Sequence, residues 1–522
     1  MTGGVRTLRP VDTLSVMHKI RTAVLAGLCA ANPWLATVSL AQEQLAGIGE
    51  YTRKAMKAWQ VPGVAIAVVK NDKIVFAKGF GVREMNKDGK VDEHTSFAIA
   101  SNSKAFTCAA LGILKDEGKL QWDDKVSDIL PWFQLHDAYA TRDLRVVDLL
   151  VHRSGLPTFG GDHLWIGSGF KTREILERIR YQKLTAPFRS NFQYQNIMYT
   201  TAGEIIPAKT GKSWAEFVKE RLLGPLGMKR TTTSIKDLAK MENVAHPHEI
   251  RHGKLVTMEY DNVDGVPAAA ALNSCVADVA QWLRMNLAYG KFDGKQLVSA
   301  AVIDEMVQAR NNRPASRGYS RFFGKHFLAY GLGWFLNDYK GRKIISHGGG
   351  LTGMISRTTW VPEEQLGIVV LTNMAENSIA TAVTNRILDR YFGEKDRDWN
   401  SQFIGFRDRG LRAKAMAEKT LQASRVKDTK PSLPLEDYAG RYHNPLPGDA
   451  TVTLKDGKLY FYYNRRHHGY LTHWHHDTFR IVWINNIMDM EEKAFMRFAM
   501  KEDGKVYKLH TTWYHRITFE RK

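Results

Sequence analysis

Residues 97–114 read FAIASNSKAFTCAALGIL. Phe106, Ala109, Ala110 and Ile113 recur at helical spacing after the polar Ser101-Asn102-Ser103-Lys104. The pattern predicts a largely buried helix with Ser101 at its N-terminus. Lys104 then falls one turn on, on the same face. The pairing has a chemical use. A serine hydroxyl is a poor nucleophile until a neighbour takes its proton, and a lysine in a dry pocket has its pKa lowered enough to do so. The helix N-terminus adds backbone N–H groups and a positive dipole end. Alone, S-x-x-K arises often by chance, and its plainer reading is a helix cap followed by a solvated lysine. Cys108, two turns beyond Ser101, reads as core.

Two further segments lift the motif above chance. FQYQNIMYTTAGEII (192–206) carries Tyr194 and Asn196, and ISHGGGLTGMISRTTW (345–360) carries His347-Gly348-Gly349-Gly350 at a strand. A tyrosine beside the Ser–Lys pair can relay protons. An asparagine can hydrogen-bond the lysine or a substrate amide. A glycine-rich strand admits a substrate backbone and offers an N–H to an oxyanion. Singly, Tyr194 reads as a core aromatic and the glycines as a turn.

Outward from these segments the chain shows its organisation. QEQLAGIGEYTRKAMKAW (42–59) has helical spacing and stops at Pro62-Gly63. GVAIAVVKNDKIVFAKGFGV (63–82) reads as a hairpin around Asn71-Asp72. Helical periods dominate from about 101 to 310. YGLGWFLND (330–338), RKIISHGGG (342–350), GMISRTTWVP (353–362) and LGIVVLTN (366–373) are strand-like, and SIATAVTNRILDRYF (378–392) is helical. One antiparallel sheet built from both ends of a long segment, with a helical subdomain inserted, is an α+β fold. Residues 394–435 read as a linker with a solvated helix at FRDRGLRAKAMAEKTLQASR (406–425). Residues 436–522 read as a small all-β barrel or sandwich, with hairpins at Asp456-Gly457 and Asp503-Gly504.

The three segments, in this order, resemble the serine β-lactamase-like superfamily: class C β-lactamases, DD-peptidases, D-aminopeptidases and related esterases. VVDLLVHRSGLP (146–157), LLGPLGMKRTTTS (222–234), ALNSCVADVAQWL (271–283) and LGIVVLTN extend the resemblance over roughly residues 45–393. It implies that Ser101 is the nucleophile, Lys104 its base partner and Tyr194 the proton relay. Asn196, His347, Gly348, Gly349 and Gly350 would lie on the substrate side, with the N–H groups of Ser101 and Gly350 as oxyanion hole. It implies no cofactor and no metal, and the last ~85 residues look like the small barrel appended to many bacterial members. Two departures stand out. The third motif is H-G-G where antibiotic-hydrolysing members have K-T-G, and a histidine is largely neutral near pH 7. Weak or no β-lactamase activity is therefore expected. VPAAAALNS (266–274) stands where relatives often carry a Gly pair, which would narrow a loop near the pocket.

Competing motifs read less well. His248-Glu249-Ile250-Arg251-His252 is a literal H-E-x-x-H, but HEIRHGKLVTMEY alternates as two short strands around His252-Gly253-Lys254. On a strand the two histidines would lie about 13 Å apart, too far to share one ion. Asp148 and His152 could suggest a triad with Ser101, although a structural turn accounts for them better. RRHHGYLTHWHH (465–476) reads as a polar barrel face.

Lys plus Arg number 74 against 54 Asp plus Glu, a net charge of +20. The basic residues are dispersed, with no zinc-finger or RNA-binding signature, so no nucleic-acid partner is expected. An anionic cell-wall polymer suits the charge better. Cys29, Cys108 and Cys275 make no disulfide framework. His18, Lys19 and Arg21 precede the uncharged TAVLAGLCAANPWLATVSLA (22–41), which closes on Ser39-Leu40-Ala41. This is the pattern of a signal peptide ending near Ala41, starting from Met1 or Met17. An uncleaved anchor and an organellar presequence are the alternatives. The expectation is a periplasmic or secreted serine hydrolase with a signal peptide (1–41), hydrolase domain (42–393), linker (394–435) and barrel (436–522). It would cleave an ester or amide in a small molecule or peptide, a D-amino-acid or cell-wall fragment included, as a monomer or a homo-oligomer. The rival is a non-catalytic, wall-binding or self-assembling protein of the same fold.

Overall fold

In the computed structural model the described residues are Thr2, 43–251, 253–484, 494–514 and 516–522. Apart from Thr2, the expected signal peptide (1–41) lies outside them, and so does His252. The chain divides into two compact units, Met1–Gly47 and Ile48–Lys522. In the first, residues 43–47 form a turn closed by the Ala46 N–H on the Glu43 carbonyl. The second holds both the sheet and the barrel.

Helix α1 (Ile48–Trp59) leads into strands β1 (Gly63–Lys70) and β2 (Lys73–Gly81). Asn71 and Asp72 join them with φ of 50° and 60°, the left-handed pair that matches the twist of a two-residue hairpin. The chain leaves the sheet here. It returns as β3 (Asn311–Arg313), β4 (Leu328–Tyr330), β5 (Phe335–Tyr339), β6 (Arg342–Leu351), β7 (Met354–Val361) and β8 (Leu366–Thr372). The order is β2-β1-β8-β7-β6-β5-β4-β3, antiparallel throughout. The two ends of the segment meet where β1 lies beside β8: Val64 pairs with Thr372 and Ala67 with Val369.

Burial on both faces explains why GVAIAVVK and LGIVVLT are apolar runs rather than alternations. Ala65, Ala67 and Val69 enter the large core shared with the helical subdomain. Val64, Ile66 and Val68, on the other face by the two-residue period, are equally buried. Three helices of the subdomain matter below: α2 (Ser103–Asp116), α3 (Asn196–Thr210) and α4 (Val276–Leu287). Every residue of α2 from Ser103 to Leu114 is buried, the polar Ser103, Lys104 and Thr107 included. Phe106 stacks on Trp282 of α4 at 3.9 Å.

Two boundaries differ from the expectation. The stretch 330–338 is not one strand: β4 and β5 are joined by a turn at Gly333, φ 76°, where a Cβ would stand 2.8 Å from Ala105 Cα of α2. The solvated helix begins earlier, as α6 (Trp399–Ala423), after α5 (Ile379–Tyr391). Asp398 caps it through the Ser401 N–H. Its first two residues are buried: Trp59 Nε1 donates to Asn400 Oδ1 at 2.7 Å, and Trp399 Nε1 to Asp389 Oδ2 at 2.6 Å. The charged flank KDRDWN hid that anchor. His248–Arg251 and Lys254–Thr257 are paired strands, as the alternation predicts.

The C-terminal domain is a closed eight-stranded barrel, β9 (Gly440–Asn444), β10 (Gly448–Lys455), β11 (Lys458–Tyr462), β12 (His468–His475), β13 (Thr478–Trp483), β14 (Phe495–Met500), β15 (Val506–Thr511) and β16 (Thr518–Arg521). Pairing of Tyr442 with Arg521 closes it, which removes free sheet edges. Its interior packs Tyr442, Phe461, Phe498 and Phe519. It touches the preceding domain through specific hydrogen bonds. Arg178 Nη1 donates to the carbonyls of Pro445 and Leu446 at 3.2 and 3.3 Å, and Asn464 Nδ2 to the Ile166 carbonyl at 3.0 Å.

Candidate active site

Ser101 sits in the 3₁₀ turn Ala100–Asn102 that opens α2. Ala100 takes φ 49°, a left-handed conformation that costs an L-residue roughly 1–2 kcal/mol. The surroundings impose it. The Ile99 N–H donates to the Leu272 carbonyl at 3.0 Å, and Ser103 Oγ to the Ala100 carbonyl at 2.6 Å. Asn102 Nδ2 reaches both the Ile99 carbonyl and Ser356 Oγ of β7, and Ser356 Oγ also donates to that carbonyl at 2.8 Å. The turn bearing Ser101 is thus clipped to the sheet.

Lys104 is fully buried. Its Nζ has three oxygen neighbours: Ser101 Oγ at 3.0 Å, Asn196 Oδ1 at 2.7 Å and the Ala269 carbonyl at 3.0 Å. Burial lowers its pKa to about 7, against the opposing pull of Asp162. As a neutral amine it would give one proton each to Asn196 and Ala269 and turn its lone pair on Ser101. Tyr194 hydrogen-bonds Ser101, and burial raises its phenol. Its ring lies 4.9 Å from Lys104 Nζ. Of the two, the amine is therefore the base available near neutral pH.

Strand β6 forms the opposite wall. A Cβ on Gly349 would stand 2.2 Å from the Ile99 carbonyl oxygen and 2.4 Å from Ser356 Oγ, so only glycine lets the strand reach the Ser101 turn. Gly350, next along, is exposed and pairs with Ile355. His347 is buried, with Nδ1 on the Gly348 carbonyl at 2.6 Å and Nε2 on Tyr330 Oη at 3.0 Å. Burial and the Lys104 charge lower its pKa to about 3. It is a neutral ring with both nitrogens engaged, and strand β6 carries no fixed charge there.

Asp148 is not paired with His152. Its carboxylate holds Arg153 and Arg189, each at 2.6 Å. His152 takes the Gln195 N–H on Nδ1 at 3.0 Å, and its ring lies 4.3 Å from that of Tyr194, tilted by 33°. The turn supports Tyr194 from behind. In the H-E-x-x-H segment, both nitrogens of His248 are used, by the Met85 N–H and the Asn373 carbonyl. His473 Nε2 bonds the His476 carbonyl at 2.9 Å.

The structure thus brings Ser101, Lys104, Tyr194 and Asn196 together, faces them with Gly349 and Gly350, and sets His347 behind. Sequence reasoning missed the Ala269 carbonyl, which VPAAAALNS supplies; Asp162, whose Oδ2 accepts from Asn196 Nδ2 at 2.8 Å; and Tyr330. It also missed Arg313. This half-buried guanidinium lies 4.8 Å over Phe192 and 5.0 Å over Phe335, and Phe335 in turn lies 5.0 Å from His347 and 6.4 Å from Tyr194.

Fold and site together define a serine hydrolase-type scaffold. The model of the family described as Beta-lactamase matches residues 48–390, and the chain belongs to that family. A second family, described as Domain of unknown function (DUF3471), matches residues 424–521. Among curated relatives, the unguisins hydrolase ungD' of Aspergillus campestris (strain IBT 28561) is 27% identical over 80% of this chain and 79% of its own. Protein flp of Staphylococcus aureus (strain MW2) is 26% identical over 64% of this chain and 63% of its own. The octameric penicillin-binding protein homologue from Pyrococcus abyssi shares the fold, with TM-score 0.61 and 22% identity over 91% of this chain and 100% of that one.

Proposed function

We propose that the protein is an exported serine hydrolase that cleaves an ester or amide through an acyl-enzyme on Ser101. One observation carries the reading: a buried Lys104 amine 3.0 Å from Ser101 Oγ, its other two contacts filled by Asn196 and Ala269. Ser101 Oγ attacks the carbonyl carbon while its proton passes to Lys104, directly or through Tyr194. The tetrahedral oxyanion meets the N–H groups of Ser101 and Gly350. Collapse expels the alcohol or amine, which takes a proton from Tyr194, and Lys104 refills Tyr194. Water then enters by the reverse sequence and releases the acid.

Short peptides, D-amino-acid or cell-wall-like fragments and simple esters are the substrate classes favoured. A relative described as a hydrolase of unguisins is in keeping with this breadth. β-Lactams are poor substrates on this reading, because neutral His347 replaces the fixed cation of K-T-G. Arg313, over Phe192 and Phe335 of the aromatic wall, suits a substrate carboxylate. The net charge of +20 favours an anionic wall polymer nearby, and the octameric relative favours a homo-oligomer.

Intact mass after brief exposure to a fluorophosphonate probe tests the mechanism. One adduct on wild type and none on Ser101→Ala supports it. No adduct on folded wild type overturns it in favour of a binding protein.

A further inference from the structure

Asp162 takes no part in the proton transfers above, yet the residue is only 5% exposed and its carboxyl is one side chain away from them. The Asn196 amide stands between: Nδ2 donates to Asp162 Oδ2 at 2.8 Å, and Oδ1 accepts from Lys104 Nζ at 2.7 Å. A primary amide has two orientations that exchange its oxygen and its NH2. The reversed one would aim donors at Lys104 and an acceptor at a carboxylate, leaving both sides unsatisfied.

The segment bearing Asp162 is itself held from outside. It enters through Gly161, φ 88°, where a Cβ would stand 2.7 Å from Ile179 Cδ1. Its following residues lie under the barrel loop 463–466. Tyr463 Oη donates to the His163 carbonyl at 3.4 Å, and Asn464 Nδ2 to the Ile166 carbonyl at 3.0 Å. A Cβ on Gly167 would stand 2.4 Å from Arg466 Cγ.

Building on the Ser101 mechanism, we infer that Asp162 is a positioning residue: it fixes the Asn196 amide so that its oxygen holds Lys104 beside Ser101, and the barrel loop 463–466 keeps Asp162 in place. The barrel is then a working part of the hydrolase. The titratable groups around Lys104 are Asp162, Cys108, Tyr194, Tyr199, His152 and His347. Among them only Asp162 supplies a carboxylate that favours the ammonium; burial raises its own pKa to about 7, so it carries that charge mainly above this pH, and removing the charge makes Lys104 easier to deprotonate.

The test measures the second-order rate of fluorophosphonate labelling from about pH 5 to 9 on the full chain. Wild type is compared with Asp162→Asn, Asp162→Ala and Asn464→Ala, each with an intact melting transition. Asp162→Ala is expected to be about 10²-fold slower. Asp162→Asn keeps an acceptor for Asn196 and recovers most of the rate, with its acid limb moved to lower pH. Asn464→Ala slows labelling in the same direction as Asp162→Ala. Wild-type rate and pH profile in Asp162→Ala overturn the inference, as does Asp162→Asn no faster than Asp162→Ala. A wild-type rate in Asn464→Ala removes the barrel from it. Absence of labelling in wild type refutes the Ser101 mechanism instead.

Discussion

Gly349→Ala tests how closely β6 must approach the Ser101 turn. The new methyl would start 2.2 Å from the Ile99 carbonyl oxygen and 3.0 Å from its carbon. Comfortable contact lies near about 3.5 Å, so the strand and the turn must part by about 1 Å. Neither side yields cheaply. The Ile99 carbonyl is held by Asn102 and Ser356, and β6 is paired along its length with β7. Overpacking of this kind costs about 1–3 kcal/mol. A displacement of about 1 Å at a reacting centre costs on the order of 10²-fold in rate. Gly350→Ala is the control, because its Cβ would meet only Ile355 Cδ1 at 3.5 Å. The assay is the fluorophosphonate labelling rate beside the melting temperature of each variant. Gly349→Ala should be slow and less stable, and Gly350→Ala should melt as wild type does. If Gly349→Ala labels within twofold of wild type at an unchanged melting temperature, the close approach has no bearing on the chemistry.

Lys104, lowered to about 7 by burial, must be unprotonated to accept the Ser101 proton. Labelling should therefore rise tenfold per pH unit below about 7 and level off above it; a flat profile across that range refutes Lys104 as base. Arg313→Gln should raise KM about tenfold for substrates ending in a carboxylate and leave their amides unaffected, and equal effects on both would remove Arg313 from substrate recognition. Asp148→Ala strands two partly exposed guanidiniums that share a wholly buried carboxylate. It should lower unfolding free energy by about 2–4 kcal/mol in urea titration, and a loss under about 0.5 kcal/mol would show that the network carries little.

What could be read in the sequence is what short spacing encodes. Ser101 and Lys104 are one helical turn apart, and Tyr194 and Asn196 straddle the start of α3, so each pair is placed by local geometry. Asn71-Asp72 and Asp456-Gly457 announce their hairpins because few other residues accept left-handed φ at both positions. Asp162 gave no such signal. It reaches Lys104 through Asn196, a contact between chain segments that no periodicity records. The Ala269 carbonyl is backbone, so its donor-holding role has no side chain to betray it. The start of α6 was hidden because Trp399 and Phe403 are buried among charged neighbours, where tertiary packing overrides local composition.

The pairing of β1 with β8 has a consequence for how the molecule comes into being. Val64 waits for Thr372, about 300 residues later, before the central sheet can close. The entropic cost of closing a loop grows only slowly with its length, but contacts this distant in sequence make folding slow. During synthesis the β1–β2 hairpin therefore emerges with an apolar strand whose partner does not yet exist. Such an edge is prone to aggregation until it is covered. Until residue 372 has been made, one edge of β1 is without its strand partner.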